Sequence, residues 1–433
     1  MKELIAISPR PARAPATLVV LVVALATLPF AFHLQHRVEK KLRAQQERQI
    51  NDFERWMVIV PRYLHERIDF VTDSFPNPPV VLLVLAPLTT VPPARAQLVW
   101  ACLKSILAIA IFLLCLGMVR RAGVEPTIPA IALTLGVWLW PVVGDIQAGQ
   151  TNLLMLLPLV AGLSLVQVER RSGDWLGGFL IGLAVCIKVT PLAFLPYVVF
   201  RRRRRVVGGI LAGLLAWLFV VPALAFGWQQ NLRWLGQYYR IMVEPYVVHG
   251  QVKYIVGQSI PSLVSRLLRH VPAFASGGPD EYYVNVVDLP EPVVAWIIRG
   301  VLLAIAVAGV AWAWRPVLTL RSRRYVAEIG CVAAFMLWAS PRTWVEHFVT
   351  LILPAFAVAM IASDPGEPAP GRRRARWALI AALGLLALTS DIGKLLGPHG
   401  ADYVRTIGVA FWASAILVLV IVTARLRGTE AGG

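Results

Sequence analysis

Long apolar runs separated by short polar loops dominate the sequence from Thr17 onward. Runs of about 15 to 25 apolar residues are long enough to cross a bilayer as helices. The strands of a membrane barrel would alternate apolar and polar residues, which these runs do not. The pattern predicts an all-α polytopic integral membrane protein, a single membrane domain over residues 1–433 with about 11–12 membrane segments. The predicted full spans are 17–32, 96–118, 128–144, 151–167, 206–226, 292–314, 326–341, 346–362, 377–394 and 407–424.

One apolar segment, 175–200, has basic residues at both ends and cannot be a single span if those residues share a side. Lys188 and Pro191 interrupt it, and proline disfavours helix at the preceding residue and removes a backbone donor. We predict two short helices, 175–188 and 191–200, that form a hairpin with Lys188 near its outer tip. Broken helices at membrane depth often line binding sites, although a lysine here could simply extend to the interface.

The composition supports a membrane location. Hydrophobic residues make up 58% of the chain, and the mean hydropathy is +0.66, values too apolar for a soluble protein of this size. All four cysteines lie within apolar segments without metal-ligand spacing. We therefore expect neither a disulfide framework nor a metal site.

The charge distribution orients the chain. The net charge is +18, and much of the excess lies in short loops between apolar runs, which is typical of cytoplasmic loops rather than of nucleic-acid binding. With these loops inside, both termini are cytoplasmic, and residues 33–95 and 227–291 form two outer loops. The first apolar run could be a signal peptide, but the many later spans favour an uncleaved anchor.

The two outer loops differ in character. The first carries Asp52, Asp69 and Asp73, and its mixture of charged and apolar stretches suits short amphipathic helices on the outer leaflet. The second is rich in Trp and Tyr, which could form an interfacial belt or a platform for carbohydrate.

Four polar clusters converge on the predicted outer face, at residues 149–152, 188, 257–259 and 340–347. Polar groups near a membrane are costly, so such a convergence indicates a functional site. A transferase at this face has no access to cytosolic nucleotide sugars and would use a lipid-linked donor. It needs a carboxylate to accept a hydroxyl proton, and cations or hydrogen-bond donors to stabilise the departing phosphate. The candidate carboxylates are Asp52, Asp69, Asp73 and Glu346, and the candidate phosphate partners are Lys188, Arg342 and His347.

Structural roles are also open to these residues. Asp52 lies in a charged run that could be a solvated helix face. Arg342 and Glu346 have the spacing of an ion pair along one helix. Gln150 and Asn152 could serve only the end of a helix. Their shared face, rather than any single residue, supports the functional interpretation.

Six motifs follow one another over about residues 50–350: Asp52-Phe53; Pro78-Pro79 running on to Ala86-Pro87-Leu88; Gly149-Gln150-Thr151-Asn152; Gly182-Leu183-Ala184 to Lys188 and Pro191; Gln258-Ser259; and Ser340-Pro341 to Trp344 and His347. In this order they resemble glycosyltransferase family 87, the polyprenyl-phosphomannose-dependent alpha-mannosyltransferases of GT-C architecture. The resemblance implies a GT-C-type helical fold and direct inverting displacement, with an aspartate of the first outer loop as general base.

We carry the role of base to Asp52, which opens the matching Asp-Phe motif; Asp69 also precedes a phenylalanine and is the main rival. The resemblance implies a polyprenyl-phosphate sugar donor, with mannose as the sugar, and a lipid-linked or glycan acceptor. No cofactor is expected. The assigned donor-phosphate residues are Lys188, Arg342 and His347, and the assigned substrate-binding residues are Gln150, Asn152, Gln258 and Glu346.

The sequence departs from the family pattern at two positions. Glu346 stands where the family has the first of two histidines, and Gly257 stands where it has an asparagine. A carboxylate near a phosphate changes the local charge, which leaves donor and acceptor preference open.

The expected location is the cell membrane, with the site facing outside. A transporter or lipid flippase is the leading alternative class, and a non-catalytic assembly protein is the third.

Overall fold

The computed structural model describes residues 14–44, 51–73, 75–252, 257–273, 282–315, 317, 319–397 and 400–426. Helices are the only regular secondary structure in these ranges, which confirms the predicted all-α class. The α-helices are α1 Ala14–Arg43, α2 Asp52–Glu66, α3 Phe70–Asp73, α4 Val80–Leu85, α5 Pro93–Arg121, α6 Ile128–Ala148, α7 Asn152–Val166, α8 Arg171–Ile187, α9 Phe194–Phe200, α10 Arg204–Leu214, α11 Val221–Phe226, α12 Trp228–Tyr238, α13 Ile260–Leu268, α14 Glu291–Trp312, α15 Arg323–Ala339, α16 Ile352–Ser363, α17 Ala369–Leu388, α18 Gly400–Thr406 and α19 Val409–Thr423. Segments of 3-10 helix cover Ala86–Thr90, Thr190–Ala193, Val345–Leu351 and Asp391–Leu396, and π-helical segments cover Leu215–Val220 and Tyr239–Val248.

The chain is a multi-pass membrane protein. Six helical stretches are long and apolar enough to cross a membrane: Thr17–Arg43, Pro93–Arg121, Ile128–Ala148, Arg204–Phe226, Glu291–Trp312 and Val345–Ser363. Four shorter apolar helices accompany them: Val80–Thr90, Asn152–Val166, Thr190–Phe200 and Val409–Thr423. Every predicted span contains a helix, whereas the total of about 11–12 crossings stays a prediction.

Two helix boundaries differ clearly from the predicted spans. Helix α1 continues to Arg43, well past residue 32, because the polar residues that follow include good helix formers and Lys41 pairs with Glu54 of α2. Helix α17 begins at Ala369, so the basic run before residue 377 forms its first turns rather than a loop. Parts of the two predicted outer loops, 45–50, 74, 253–256 and 274–281, lie outside the described residues.

The segment around Lys188 is a broken helix, as predicted. Helix α8 ends at Ile187, Lys188 has an extended backbone (φ −144°, ψ 139°), and helical structure resumes at Thr190. An ion pair of 3.4 Å between Arg203 and Glu169 brings the two ends of the segment to the same face, which confirms the hairpin. Helix α8 packs on α10 without intervening side chains, since a Cβ on Gly178 would meet the carbonyl oxygen of Val206 at 2.2 Å.

The basic loops share one face of the molecule. Hydrogen bonds and ion pairs join them to one another and to the adjoining helix ends: Arg121 with Ser164 and Gln167, Thr319 with Glu169, Arg201 with Glu328, Arg323 with Asp364, and Arg425 with Glu367. This arrangement agrees with the common side that the sequence predicts for these loops.

Helix α16 lies at the centre of the helical core. Every residue from Ile352 to Ala362 is buried, and α16 packs against α5, α6, α15, α17 and α19. The polar residues 340–347 immediately precede it, in a turn and a 3-10 segment. A fully enclosed helix therefore directly follows this polar cluster and anchors it.

Candidate active site

Asp52 is the first residue of α2, and its neighbours hold that turn in place. The side chain of Asn51 accepts a hydrogen bond from the backbone N–H of Glu54 at 3.0 Å, which caps the helix. The same side chain donates to the Gln147 carbonyl oxygen at 3.2 Å. Phe53 stacks on Trp100 of α5, with ring centroids 5.1 Å apart. The apolar face of α2 thus packs on α5, and the N-terminus of α2 holds Asp52 in a fixed position.

Gly149 allows α2 to approach the end of α6. Its φ is +71°, the left-handed region that favours glycine, and a Cβ here would lie 2.6 Å from the backbone nitrogen of Phe53. The next residue, Gln150, donates from Nε2 to Oδ2 of Asp52. The turn at the C-terminal end of α6 therefore contacts the candidate base directly and helps to position it.

The electrostatic surroundings of Asp52 suit a proton acceptor. Burial raises the pKa of this carboxyl above its ordinary value, and nearby positive charges oppose that rise; they belong to Arg55, Lys188, Arg342 and Lys104. A carboxylate with a raised pKa is a stronger base, and a partly exposed one remains within reach of a substrate.

Asp69, the rival base, has a different environment. Its carboxylate pairs with Arg233 of α12, with 2.8 Å between Nη2 and Oδ1. A hydrogen bond from Gln237, together with the Arg233 contact, lowers the pKa of Asp69. These contacts make Asp69 a weaker base than Asp52. Asp73 ends the short helix α3, and its side chain lies outside the described part of the structure.

Lys188 links three elements of the site. Its Nζ donates to Oδ1 of Asn152, at the start of α7, over 2.5 Å. The same Nζ lies 3.0 Å from Nε2 of His347. Its charge also interacts with those of Arg342 and Asp52. The residues that the sequence assigned to donor phosphate are thus near one another and near the candidate base.

The ring of His347 has a defined tautomer. The backbone N–H of Trp344 donates to Nδ1 at 3.0 Å, so in the neutral ring the proton is on Nε2. Nε2 faces the Lys188 ammonium, which also has only donors. Two donors cannot bond to each other, but an anionic oxygen beside them would accept from both. The pair is therefore suited to bind an anion.

Arg342 is positioned by the second predicted outer loop. Its guanidinium lies over the ring of Tyr246, 4.7 Å from the centroid, and Nη1 is 3.1 Å from the sulfur of Met242. Both partners belong to the π-helical segment that follows α12. The sequence did not single out Tyr246, because nothing in the local pattern separates it from the other aromatic residues of this loop.

Glu346 and Gln258 differ in their contacts. The backbone carbonyl oxygen of Glu346 accepts from Nδ2 of Asn152 at 3.3 Å, and its side chain lies beside Gly144 near the end of α6, so residue 346 adjoins the polar cluster. Gln258 is fully buried; Nε2 donates to the Arg405 carbonyl oxygen at 2.7 Å, and Oε1 accepts from the backbone of Ala410. Protein groups therefore bond both ends of the Gln258 amide, and its contact with substrate stays a prediction.

Two charged residues that the sequence interpretation missed lie behind the cluster. Lys104 of α5 and Asp145 of α6 are almost fully buried and form an ion pair of 2.8 Å. Each is a charged residue at or near an apolar span, a signal that could have identified it.

Within the ranges described above, no group of three or more His, Cys, Asp or Glu side chains could hold a metal ion.

The fold and the cluster define a multi-pass helical membrane protein with a polar, charged site at one end of its helices. The chain belongs to glycosyltransferase family 87, whose family model matches residues 75–341, and the predicted membership is confirmed. Asp52, Arg342, Glu346 and His347 lie outside the matched residues.

Two named relatives come from mycobacteria. The polyprenol-phosphate-mannose-dependent alpha-(1-2)-phosphatidylinositol mannoside mannosyltransferase of Mycobacterium tuberculosis is 24% identical over 299 residues, which cover 68% of this chain and 60% of the relative. The corresponding phosphatidylinositol pentamannoside mannosyltransferase of Mycolicibacterium smegmatis is 28% identical over 290 residues, or 64% of this chain and 59% of the relative. The chain thus matches about three fifths of the length of these curated relatives.

Proposed function

We propose that this protein is a mannosyltransferase that moves mannose from a polyprenyl-phosphate donor to a glycolipid acceptor at the outer face of the cell membrane. One observation carries the proposal: a candidate base, Asp52, shares a cluster with the cationic and N–H donors of Lys188, Arg342 and His347. Family membership supports the reaction class, and the names of the relatives support mannose, the polyprenyl donor and a phosphatidylinositol mannoside acceptor.

In the proposed reaction, an acceptor hydroxyl oxygen attacks the anomeric carbon of mannose. The hydroxyl proton passes to the Asp52 carboxylate as the new glycosidic bond forms. The bond between the anomeric carbon and the phosphate oxygen breaks, and polyprenyl phosphate leaves with the electron pair. Lys188, Arg342 and the Nε2–H of His347 stabilise the negative charge of the leaving phosphate. Attack opposite the leaving group inverts the anomeric centre, as the family resemblance implies.

The remaining polar residues have supporting roles in this scheme. Gln150, bonded to Asp52, orients the base, and Glu346 accepts a hydrogen bond from a sugar hydroxyl. Asn152 is bonded to Lys188 and acts through it. Gln258 holds the chain beside Arg342, because its backbone N–H donates to the Thr343 carbonyl oxygen at 2.6 Å.

The outer-face location rests on charge. The basic loops share one face, and the polar cluster lies where the helices end away from them. Loops rich in Lys and Arg are retained on the cytoplasmic side, so the cluster is assigned to the outside. A polyprenyl donor would then reach the site from the outer leaflet.

The test is a transfer assay with purified protein in detergent, using radiolabelled mannosyl polyprenyl phosphate and a phosphatidylinositol mannoside. We expect label in a larger glycolipid with the wild-type protein and very little with Asp52→Asn. If wild-type protein transfers no mannose but moves the labelled donor across reconstituted vesicles, the transferase proposal is wrong and the transporter alternative replaces it.

A further inference from the structure

The buried ion pair between Lys104 and Asp145 is connected to the proposed phosphate site by a continuous chain of hydrogen bonds. Oδ2 of Asp145 lies 2.8 Å from Nζ of Lys104, while Oδ1 accepts from Nδ2 of Asn152 at 2.8 Å. Oδ1 of Asn152 in turn accepts from Nζ of Lys188 at 2.5 Å. Asp145 therefore has one oxygen directed to α5 and the other directed to the site.

The donors and acceptors in this series of hydrogen bonds allow only one orientation of the Asn152 amide. A carboxylate can only accept hydrogen bonds, so the NH₂ group must face Asp145. An ammonium can only donate, so the amide oxygen must face Lys188. Asp145, together with the Glu346 carbonyl oxygen 3.3 Å from the same Nδ2, thus orients the amide so that its oxygen meets the lysine. Lys104 supplies the counter-charge that allows a carboxylate to remain in this buried position.

Building on the proposed function, we infer that Asp145, held by Lys104, is a positioning residue for donor recognition. It fixes the Asn152 amide, which holds the Lys188 ammonium beside Nε2 of His347. Asp145 itself does not touch the donor.

The plainer alternative is that the pair only fastens α5 to α6. Buried ion pairs are weak evidence for such a role, because replacing both partners by apolar residues of similar volume is often neutral or stabilising. Removing a single partner is different, since it leaves an uncompensated charge in the core. A double replacement therefore separates a structural role from a role in the site.

The experiment compares two double variants with the wild-type protein. Lys104→Met/Asp145→Leu removes both charges and the side-chain acceptor for Asn152, so that Nδ2 keeps only the longer, 3.3 Å contact with the Glu346 carbonyl oxygen. Lys104→Met/Asp145→Asn removes both charges but keeps an acceptor oxygen for Asn152. The readouts are thermal stability in detergent, KM and kcat for mannosyl polyprenyl phosphate, and the Kd of polyprenyl monophosphate.

We expect the Met/Leu variant to melt close to the wild-type temperature but to bind polyprenyl monophosphate roughly ten- to a hundredfold more weakly, the range for losing a hydrogen bond to a charged group. KM for the donor should rise by a similar factor, with a smaller change in kcat. The Met/Asn variant should recover most of the affinity. A matched control, Arg323→Met/Asp364→Asn, removes a 2.7 Å ion pair on the opposite face and should leave the Kd unchanged.

Wild-type Kd and KM in a folded Met/Leu variant would overturn the inference and leave the pair a structural role. If that variant does not fold, Lys104→Met/Asp145→Ala removes the same acceptor with a smaller side chain and is judged by the same Kd. The binding readout keeps the two proposals separate. A wild-type protein that binds polyprenyl monophosphate but transfers no mannose contradicts the proposed function and still allows Asp145 to be tested.

Discussion

Gly149→Ala should lower turnover by moving the candidate base, although residue 149 itself has no reactive group. The new Cβ would lie 2.6 Å from the backbone nitrogen of Phe53 and 2.8 Å from its Cβ. Ordinary contact begins at 3.4 Å, so the first turn of α2 must retreat by about 0.8 Å, because its backbone cannot rotate out of the way. A misplacement of about 1 Å in a catalytic group can reduce a rate by roughly a hundredfold.

The assay measures kcat and donor KM for mannose transfer. We expect kcat to fall by about two orders of magnitude, with little change in donor KM, because Lys188, Arg342 and His347 lie on parts of the chain other than α2. Thermal stability should also fall, since alanine in the left-handed region costs roughly 1–2 kcal/mol.

Gly123→Ala is the matched control for that strain. Gly123 has a φ of +77°, close to the +71° of Gly149, but a Cβ there would meet nothing within 4 Å. It should show a similar loss of stability with nearly normal turnover. Wild-type kcat in Gly149→Ala would show that contact between residue 149 and α2 does not position the base. An equal loss of activity in Gly123→Ala would show that backbone strain, rather than displacement of the base, lowers turnover.

Four further predictions follow, two on the base, one on the phosphate site and one on the topology. Asp52→Asn should reduce turnover by roughly a hundred- to ten-thousandfold while Asp69→Asn has little effect, and the reverse result would move the base to Asp69. Burial raises the pKa of Asp52, and a base must be deprotonated to act, so wild-type kcat/KM should begin to fall on acidification at a pH above about 4, the ordinary aspartate value. A fall that begins only below that pH would contradict the assignment of Asp52 as the base. Arg342→Lys should restore only part of the donor affinity lost in Arg342→Ala if the phosphate contact is bidentate, and full recovery would exclude that geometry. In a cysteine-free background, a membrane-impermeant thiol reagent added to whole cells should label Glu66→Cys but not Arg373→Cys, and the opposite pattern would invert the topology.

Local sequence signals were sufficient for the broken helix and for much of the cluster. Pro191 disrupts the helix that would otherwise contain Lys188, and this effect acts within one turn of the chain. The charge of the short loops assigned each helix end to one side of the membrane. Residues far apart in the sequence, such as Gln150 and His347, could therefore be placed at the same face before their contacts were known.

Contacts between distant elements could not be read in the same way. The ion pair of Lys104 with Asp145 joins two helices, and either residue alone would resemble an isolated charge in an apolar run. Tyr246 acquires its role only because Arg342 lies over its ring. The close approach of Gly149 to Phe53 depends on how α2 folds back onto α6, which no local pattern specifies.

The separation of the candidate site between two parts of the chain has a consequence for how members of the family diverge. The candidate base lies on α2, before the residues that match the family model, whereas Lys188 lies in the break after α8, within the match. Insertions or replacements in the segment that carries α2 would reshape the space where an acceptor approaches. They would leave the helices around Lys188 untouched. Descendants of one ancestral protein could thereby acquire new acceptors while keeping the same lipid-borne sugar.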